Sequence, residues 1–137
     1  MIIDAIFQPG TGEIMGVVHR FIGKDGAFAW EGVEVETYDR GGAMGGTKQV
    51  LLGSRDGSVH FGLRYYEIEP GGQSSFDRHG HDHGVYILRG KARVMLGWDV
   101  AEVGVGDVIY IPPNEEHQFE NIGDEPLGFL CAVPPRD

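Results

Sequence analysis

Short apolar segments alternate with glycine-bearing breaks along most of the chain. The breaks fall at Gly10-Thr11-Gly12, Gly23-Lys24-Asp25-Gly26, Gly41 to Gly46, Asp56-Gly57, Pro70-Gly71-Gly72, Gly90, Gly97, Gly104 to Asp107, Gly123-Asp124 and Pro134-Pro135. Between them lie stretches rich in β-branched and aromatic residues, the mark of an antiparallel sandwich or barrel. The pattern predicts strands near 2–7, 14–22, 33–38, 48–53, 59–69, 75–79, 83–89, 92–97, 108–111, 117–121 and 127–133. No stretch of eleven or more residues carries a 3.6-residue apolar repeat free of glycine, so little helix is expected. Residues 1–47 are weakly patterned and 48–133 form a denser succession of strands. The expected organisation is an N-terminal strand extension, 1–47, packing on the barrel or on a dimer partner, followed by an all-β barrel over 48–137.

A chain of 137 residues suits one core. Its 23 glycines imply many tight turns. The formal charge of −10, with no segment that gathers the basic residues, makes nucleic acid and anionic membrane poor partners. Apolar runs such as Val108 to Ile111 and Leu127 to Val133 are far short of the ~20 residues of a membrane helix. Met1-Ile2-Ile3-Asp4 does not read as a secretory signal, and a single cysteine, Cys131, cannot form an internal disulfide. Together these point to a reducing, cytoplasmic setting.

The chemistry concentrates in histidine. Four of the six sit in two places: His79, His81 and His83 in Asp77-Arg78-His79-Gly80-His81-Asp82-His83-Gly84, and His117 in Pro112-Pro113-Asn114-Glu115-Glu116-His117. Imidazole is a ligand for Zn, Fe, Mn, Cu and Ni, and alternate strand residues project from one face about 6.6 Å apart. His79 and His81 therefore fit one ion. A fully extended strand would hold His79 and His83 roughly 13 Å apart, so a corner is needed, and Gly80 and Gly84 supply the freedom for it.

These residues sit within a larger pattern that resembles the cupin superfamily. That family's second motif is met by Gly106, Pro112, His117 and Asn121, with Asn114 where the family carries glycine. Counting back from Gly90, in His83-Gly84-Val85-Tyr86-Ile87-Leu88-Arg89-Gly90, places His83 where most cupins have a ligand glutamate. One register makes Asp77 and His79 the His-x-His pair of the first motif, and a two-residue shortening of the corner makes it His79 and His81. Both keep His79, His83 and His117, and histidine is the family's residue at the disputed place. The likeness covers about 48–133.

The resemblance implies a double-stranded β-helix, the jelly-roll barrel of cupins, and one divalent transition metal ion (Mn, Fe, Ni, Cu or Zn) on His79, His81, His83 and His117. It also implies a homodimer, a small-molecule ligand or substrate, and metal-dependent dioxygenase-like oxidoreductase chemistry on a small anionic molecule. The non-redox alternative is a ligand-binding protein or a metal-dependent decarboxylase or isomerase. Parity places Phe119 and Val85 with Ile87 in the cavity wall. Tyr86, Tyr65 and Glu67 are the nearest candidates for a general acid or base. His19 and His60 stand apart from both motifs, Cys131 reads as a buried inert thiol, and Gly41 to Thr47 lacks the lysine of a phosphate loop.

Overall fold

The computed structural model describes residues 7–8 and 13–135. Eleven strands follow in chain order: β1 Phe7–Gln8, β2 Glu13–Ile14, β3 Glu36–Tyr38, β4 Met44–Leu52, β5 Gly62–Gln73, β6 His83–Arg89, β7 Lys91–Leu96, β8 Asp99–Gly104, β9 Val108–Ile111, β10 His117–Asn121 and β11 Leu127–Val133. Among the described residues the only helical element is one 3-10 turn, Ser54–Asp56.

All pairings are antiparallel. β1 pairs β2, and the other nine strands form one sheet in the order β8-β7-β10-β5-β11-β6-β9, with β4 and then β3 added alongside β5. β5 closes the fold because it is long. Its first seven residues pair β11, from Leu127 opposite Ile68 to Val133 opposite Gly62, while its end, Gln73, pairs Glu120 of β10. One strand thus belongs to both faces of the curled sheet. Between the faces lie Ile68, Val85, Ile87, Ala92, Val94, Ile111, Phe119, Leu127, Phe129, Cys131 and Val133. Alternation along β6, buried at His83, Val85 and Ile87 and exposed at Gly84 and Tyr86, decides which side chains see the cavity.

The expected strand at 75–79 is a correction. Ser74 to Asp77 does run beside β10, but Ser74 Oγ accepts the Phe119 N–H at 2.8 Å in place of a ladder carbonyl, and only Asp77 bridges His117. A side chain here replaces regular pairing. The expected strand at 14–22 is also not formed beyond Ile14, because 20–31 folds on itself through the Phe21–Trp30 and Lys24–Ala27 bridges. β8 went unread because its residues Asp99 to Glu102 are all exposed, so no half-buried alternation marks it. Most of the expected strand at 2–7, with Ile2-Ile3, lies outside the described residues.

The outer face of β5 is covered by the chain ahead of β3. Phe28 stacks on Tyr65 at 5.6 Å between ring centroids, Trp30 tilts against it at 5.2 Å, and Phe21 meets both Phe28 and Trp30 edge-on. Tyr65 is wholly buried as a result. Its hydroxyl donates to Glu67 at 2.8 Å, and Arg89 bonds Glu67 while lying 4.4 Å from the centre of the Phe28 ring.

Two residues of the second motif now have structural reasons. Asn114 has φ +68°, a left-handed conformation that glycine adopts freely and asparagine tolerates best among the others. Its N–H donates to the His79 carbonyl at 2.6 Å and so ties the corner to the β9–β10 turn. Buried Asn121 donates to the carbonyls of Ile68 and Glu125 at 2.8 and 2.9 Å and accepts the Gly123 N–H at 2.9 Å. Asn121→Ala leaves three backbone groups, one buried and two part-buried, to find new partners, at ~1 kcal/mol each. The unfolding free energy should fall by about 3 kcal/mol in urea titrations, and a loss under ~1 kcal/mol would show that water replaces the amide.

Candidate metal centre

Three strand ends meet at one mouth of the barrel. β6 starts at His83, β10 starts at His117, and the loop between β5 and β6 carries His79 and His81. The Asp77–His117 bridge, with N–H to carbonyl bonds of 3.0 and 2.9 Å, holds that loop against β10. The corner expected between His79 and His83 is present, since their ring centroids lie 5.0 Å apart. The ligand atoms of His79, His83 and His117 all lie within 4.8 Å of one another. His81 packs against this trio without joining the group of converging donor atoms: its ring is parallel to that of His79 at 5.0 Å and lies 4.7 Å from that of His83. Its Nδ1 approaches the Asp82 carbonyl at 3.2 Å.

The donor chemistry fits a cation. His117 is 6% exposed and its Nδ1 bonds the Glu115 carbonyl at 2.9 Å; a carbonyl only accepts, so Nδ1 bears the proton and Nε2 keeps its lone pair. His83 is 9% exposed, its Nδ1 lies 3.3 Å from Cys131 Sγ, and its Nε2 is buried with no hydrogen-bond partner. Burial, then the neighbouring His117, His81 and His79, push the His83 imidazole down to about 4, so it is a neutral donor at physiological pH. Two imidazoles on one ion at ~2.1 Å stand at most ~4.2 Å apart, so donors spread over 4.8 Å would draw in by at least ~0.6 Å around an ion.

Asp77 stands beside this cluster, its carboxylate 3.7 Å from His79 Nε2. Its orientation is supported from the first part of the chain. Ser75 N–H donates to Tyr38 Oη at 2.8 Å, Tyr38 Oη and Ser75 Oγ are 2.5 Å apart, and Ser75 Oγ donates to Asp77 Oδ2. With Ser75 donating onward, the Tyr38 hydroxyl is the donor to Ser75.

The cavity beyond the histidines is lined by Tyr38, Arg40, Arg64, Tyr66, Val85, Phe119, Phe129 and Cys131 among others. Phe119, Phe129 and Tyr66 form a stacked wall with centroid spacings of 4.5 and 5.5 Å, and Tyr38 meets Tyr66 edge-on at 5.0 Å. Burial raises both phenols above their usual value, leaving them neutral donors. Burial also pushes the Cys131 thiol up to about 12, with Arg64 pulling the other way.

Of the residues singled out from sequence, Phe119 and Val85 do line this cavity, while Ile87 lies deeper in the core. Tyr65, Glu67 and Tyr86 do not line it: alternation turns Tyr65 and Glu67 to the covered outer face and Tyr86 to the exposed one. His19 is held by Asp56 at 2.7 Å and the Glu31 carbonyl at 2.9 Å. Arg64 and Tyr66 were missed, although their parity on β5 with buried Ile68 was a usable signal. Tyr38 and Arg40 had none.

An all-β barrel with an imidazole cluster at its mouth and an aromatic wall in the cavity behind it has the make-up of a small-molecule site. The profile of the cupin domain matches residues 64–133, and the chain belongs to the cupin family. It is 40% identical over 109 residues to 1-methylthio-D-xylulose 5-phosphate methylsulfurylase of Rhodospirillum rubrum, covering 77% of this chain and 69% of that protein. A crystal structure of a cupin-2 domain protein from the same organism superposes with a TM-score of 0.73 at 39% identity, covering 81% of this chain and 76% of that one. Glucose-6-phosphate isomerase of Pyrococcus furiosus is 32% identical over 94 residues, which cover 58% of this chain and about half, 49%, of the isomerase.

Proposed function

We propose that this protein is a metal-dependent enzyme acting on a small, oxygen-rich anion of the sugar-phosphate class, with His79, His83 and His117 as ligands and His81 or Asp77 as the fourth. The carrying observation is the convergence of three imidazole donor atoms within 4.8 Å at the mouth of a cavity that also holds Arg40 and Arg64. Two relatives bear names of enzymes of phosphorylated sugars, which supports the same class. A bound divalent ion would supply a Lewis acid for a carbonyl or hydroxyl oxygen. The chain's own part is then to hold the anion by its arginines, exclude water with the Tyr66–Phe129–Phe119 wall, and offer the Asp77 carboxylate and the Tyr38 and Tyr66 phenols for hydrogen bonding to substrate hydroxyls.

Dioxygenase-like oxidation of the same anion is the second reading. It is favoured by the small number of protein donors, because three or four imidazoles leave open positions on an ion that prefers six. Elemental analysis of untagged protein, followed by turnover of pentose and hexose phosphates with and without oxygen, tests both. Anaerobic conversion supports the first reading, oxygen consumption coupled to substrate loss supports the second, and absence of metal after loading overturns both.

The homodimer expected from the family enters here as well, with residues 1–47 at its interface and the chain in a reducing, cytoplasmic setting. Phe21 and Ile22 of that segment are half exposed, at 52% and 51%, and exposed apolar pairs suit an interface. Light scattering at micromolar concentration should give about 30 kDa, twice the 15.0 kDa chain, and a monomer would remove the proposal.

A further inference from the structure

The two buried histidines of the cluster are held from behind by different means. Behind His117 Nδ1 is a backbone carbonyl, that of Glu115, which settles the tautomer by itself. Behind His83 Nδ1 is the Cys131 thiol, at 3.3 Å. Cys131 sits in mid-β11, opposite Val85 of β6 on one side and Arg64 of β5 on the other, buried and facing the cavity.

We propose that Cys131 is a positioning residue: its sulfur accepts the Nδ1–H of His83, which fixes the ring and presents Nε2 to the cavity as a lone-pair donor. This rests on the reading of the cluster as a metal site. The opposite tautomer is chemically poorer. Sulfur is a weak partner in either direction, so the choice between tautomers falls to the other nitrogen. The opposite tautomer would leave the Nε2–H of a residue 9% exposed with no acceptor, because that atom makes no hydrogen bond. An imidazole ligand ordinarily gives its second N–H to a carbonyl or carboxylate, which fixes the tautomer and raises the basicity of the ligating nitrogen. On His83 the thiol takes that place, and the residue read from sequence as inert acquires a role.

Three proteins test this: the parent, Cys131→Ser, which keeps an acceptor, and Cys131→Val, which keeps the bulk and removes it. The first measurement is the ring 15N spectrum of His83 in the metal-free proteins, which reports the tautomer without reference to any ion. The parent and the serine variant should show the Nδ1–H form, and the valine variant a shift toward Nε2–H. The second is Zn affinity by chelator competition. The valine variant should bind about 10–100-fold more weakly, and serine should restore affinity to within a few-fold of the parent. A parent His83 in the Nε2–H form overturns the proposal even where no variant folds, and so does a valine variant that binds Zn as the parent does. A parent that binds no Zn yet holds the Nδ1–H form would support the positioning role and overturn the metal reading alone.

Discussion

Replacing His117 by alanine should empty the centre, taking bound metal from about one equivalent per chain to below about 0.1. His117 is the first residue of β10, 6% exposed, with its Nδ1 committed to the Glu115 carbonyl and its other nitrogen directed at the cluster. Losing a partner one bond removed from a metal ligand already costs 10–100-fold in affinity, so losing the ligand itself should exceed about 100-fold. The Asp77–His117 bridge is made by backbone atoms and survives the substitution, so the barrel should stay folded. His19→Ala is the control: that ring is bound to Asp56 and the Glu31 carbonyl, and its loss should leave metal content unchanged while lowering stability. Full retention of metal in His117→Ala would show that the cluster is not the site.

The barrel was legible because β6, β7 and β10 are short and half buried, so that alternation marks them, and glycine-bearing breaks set the strands apart. The second motif added spacing that only a fixed turn satisfies, and Asn114 at φ +68° shows why that place excludes most residues. Sequence failed where side chains do the work of backbone, as at Ser74, and where a strand is exposed on both sides, as at Asp99 to Glu102. It also placed the wrong acid–base candidates. Tyr65 and Glu67 stand on β5 one position out of phase with the cavity-facing Arg64 and Tyr66, and a parity error of one residue exchanges inside for outside.

The histidines were legible as a cluster because three of them alternate within five residues and the fourth stands in the second motif. The rest of the cavity was not, because its residues come from distant segments that only the sheet order brings together. Tyr38 lies in β3 and reaches Ser75 thirty-seven residues later, and no local pattern records that pairing. The segment before residue 48 is thus in contact with the site, through Tyr38 and Arg40, as well as with the outer face of β5.

Removing the charge at Arg64 should separate anion recognition from metal binding. Arg64 stands on β5, and β11 lies between it and β6, so two strand spacings, roughly 10 Å, separate its backbone from that of the His83 strand. A substrate spanning that gap would set oxygen atoms at the imidazole cluster and its anionic group at the guanidinium, beside Tyr66 and Phe129. The chain carries −10 overall, so this cationic lining stands against the protein's general field and selects an anion by local contact. A desolvated charge pair is worth ~2–5 kcal/mol to truncation, so Arg64→Met should lower kcat/KM for a sugar phosphate by about 100- to 1,000-fold. The loss should fall mainly on KM, since the arginine holds the anion in ground and transition states alike. Metal content should stay at the parent value, and turnover of an uncharged analogue should change by less than about threefold. Arg40 lines the same cavity but is solvent-exposed, so Arg40→Gln should cost under about tenfold. If Arg64→Met slows the charged and uncharged compounds equally, Arg64 supports the barrel wall and does not read the anion.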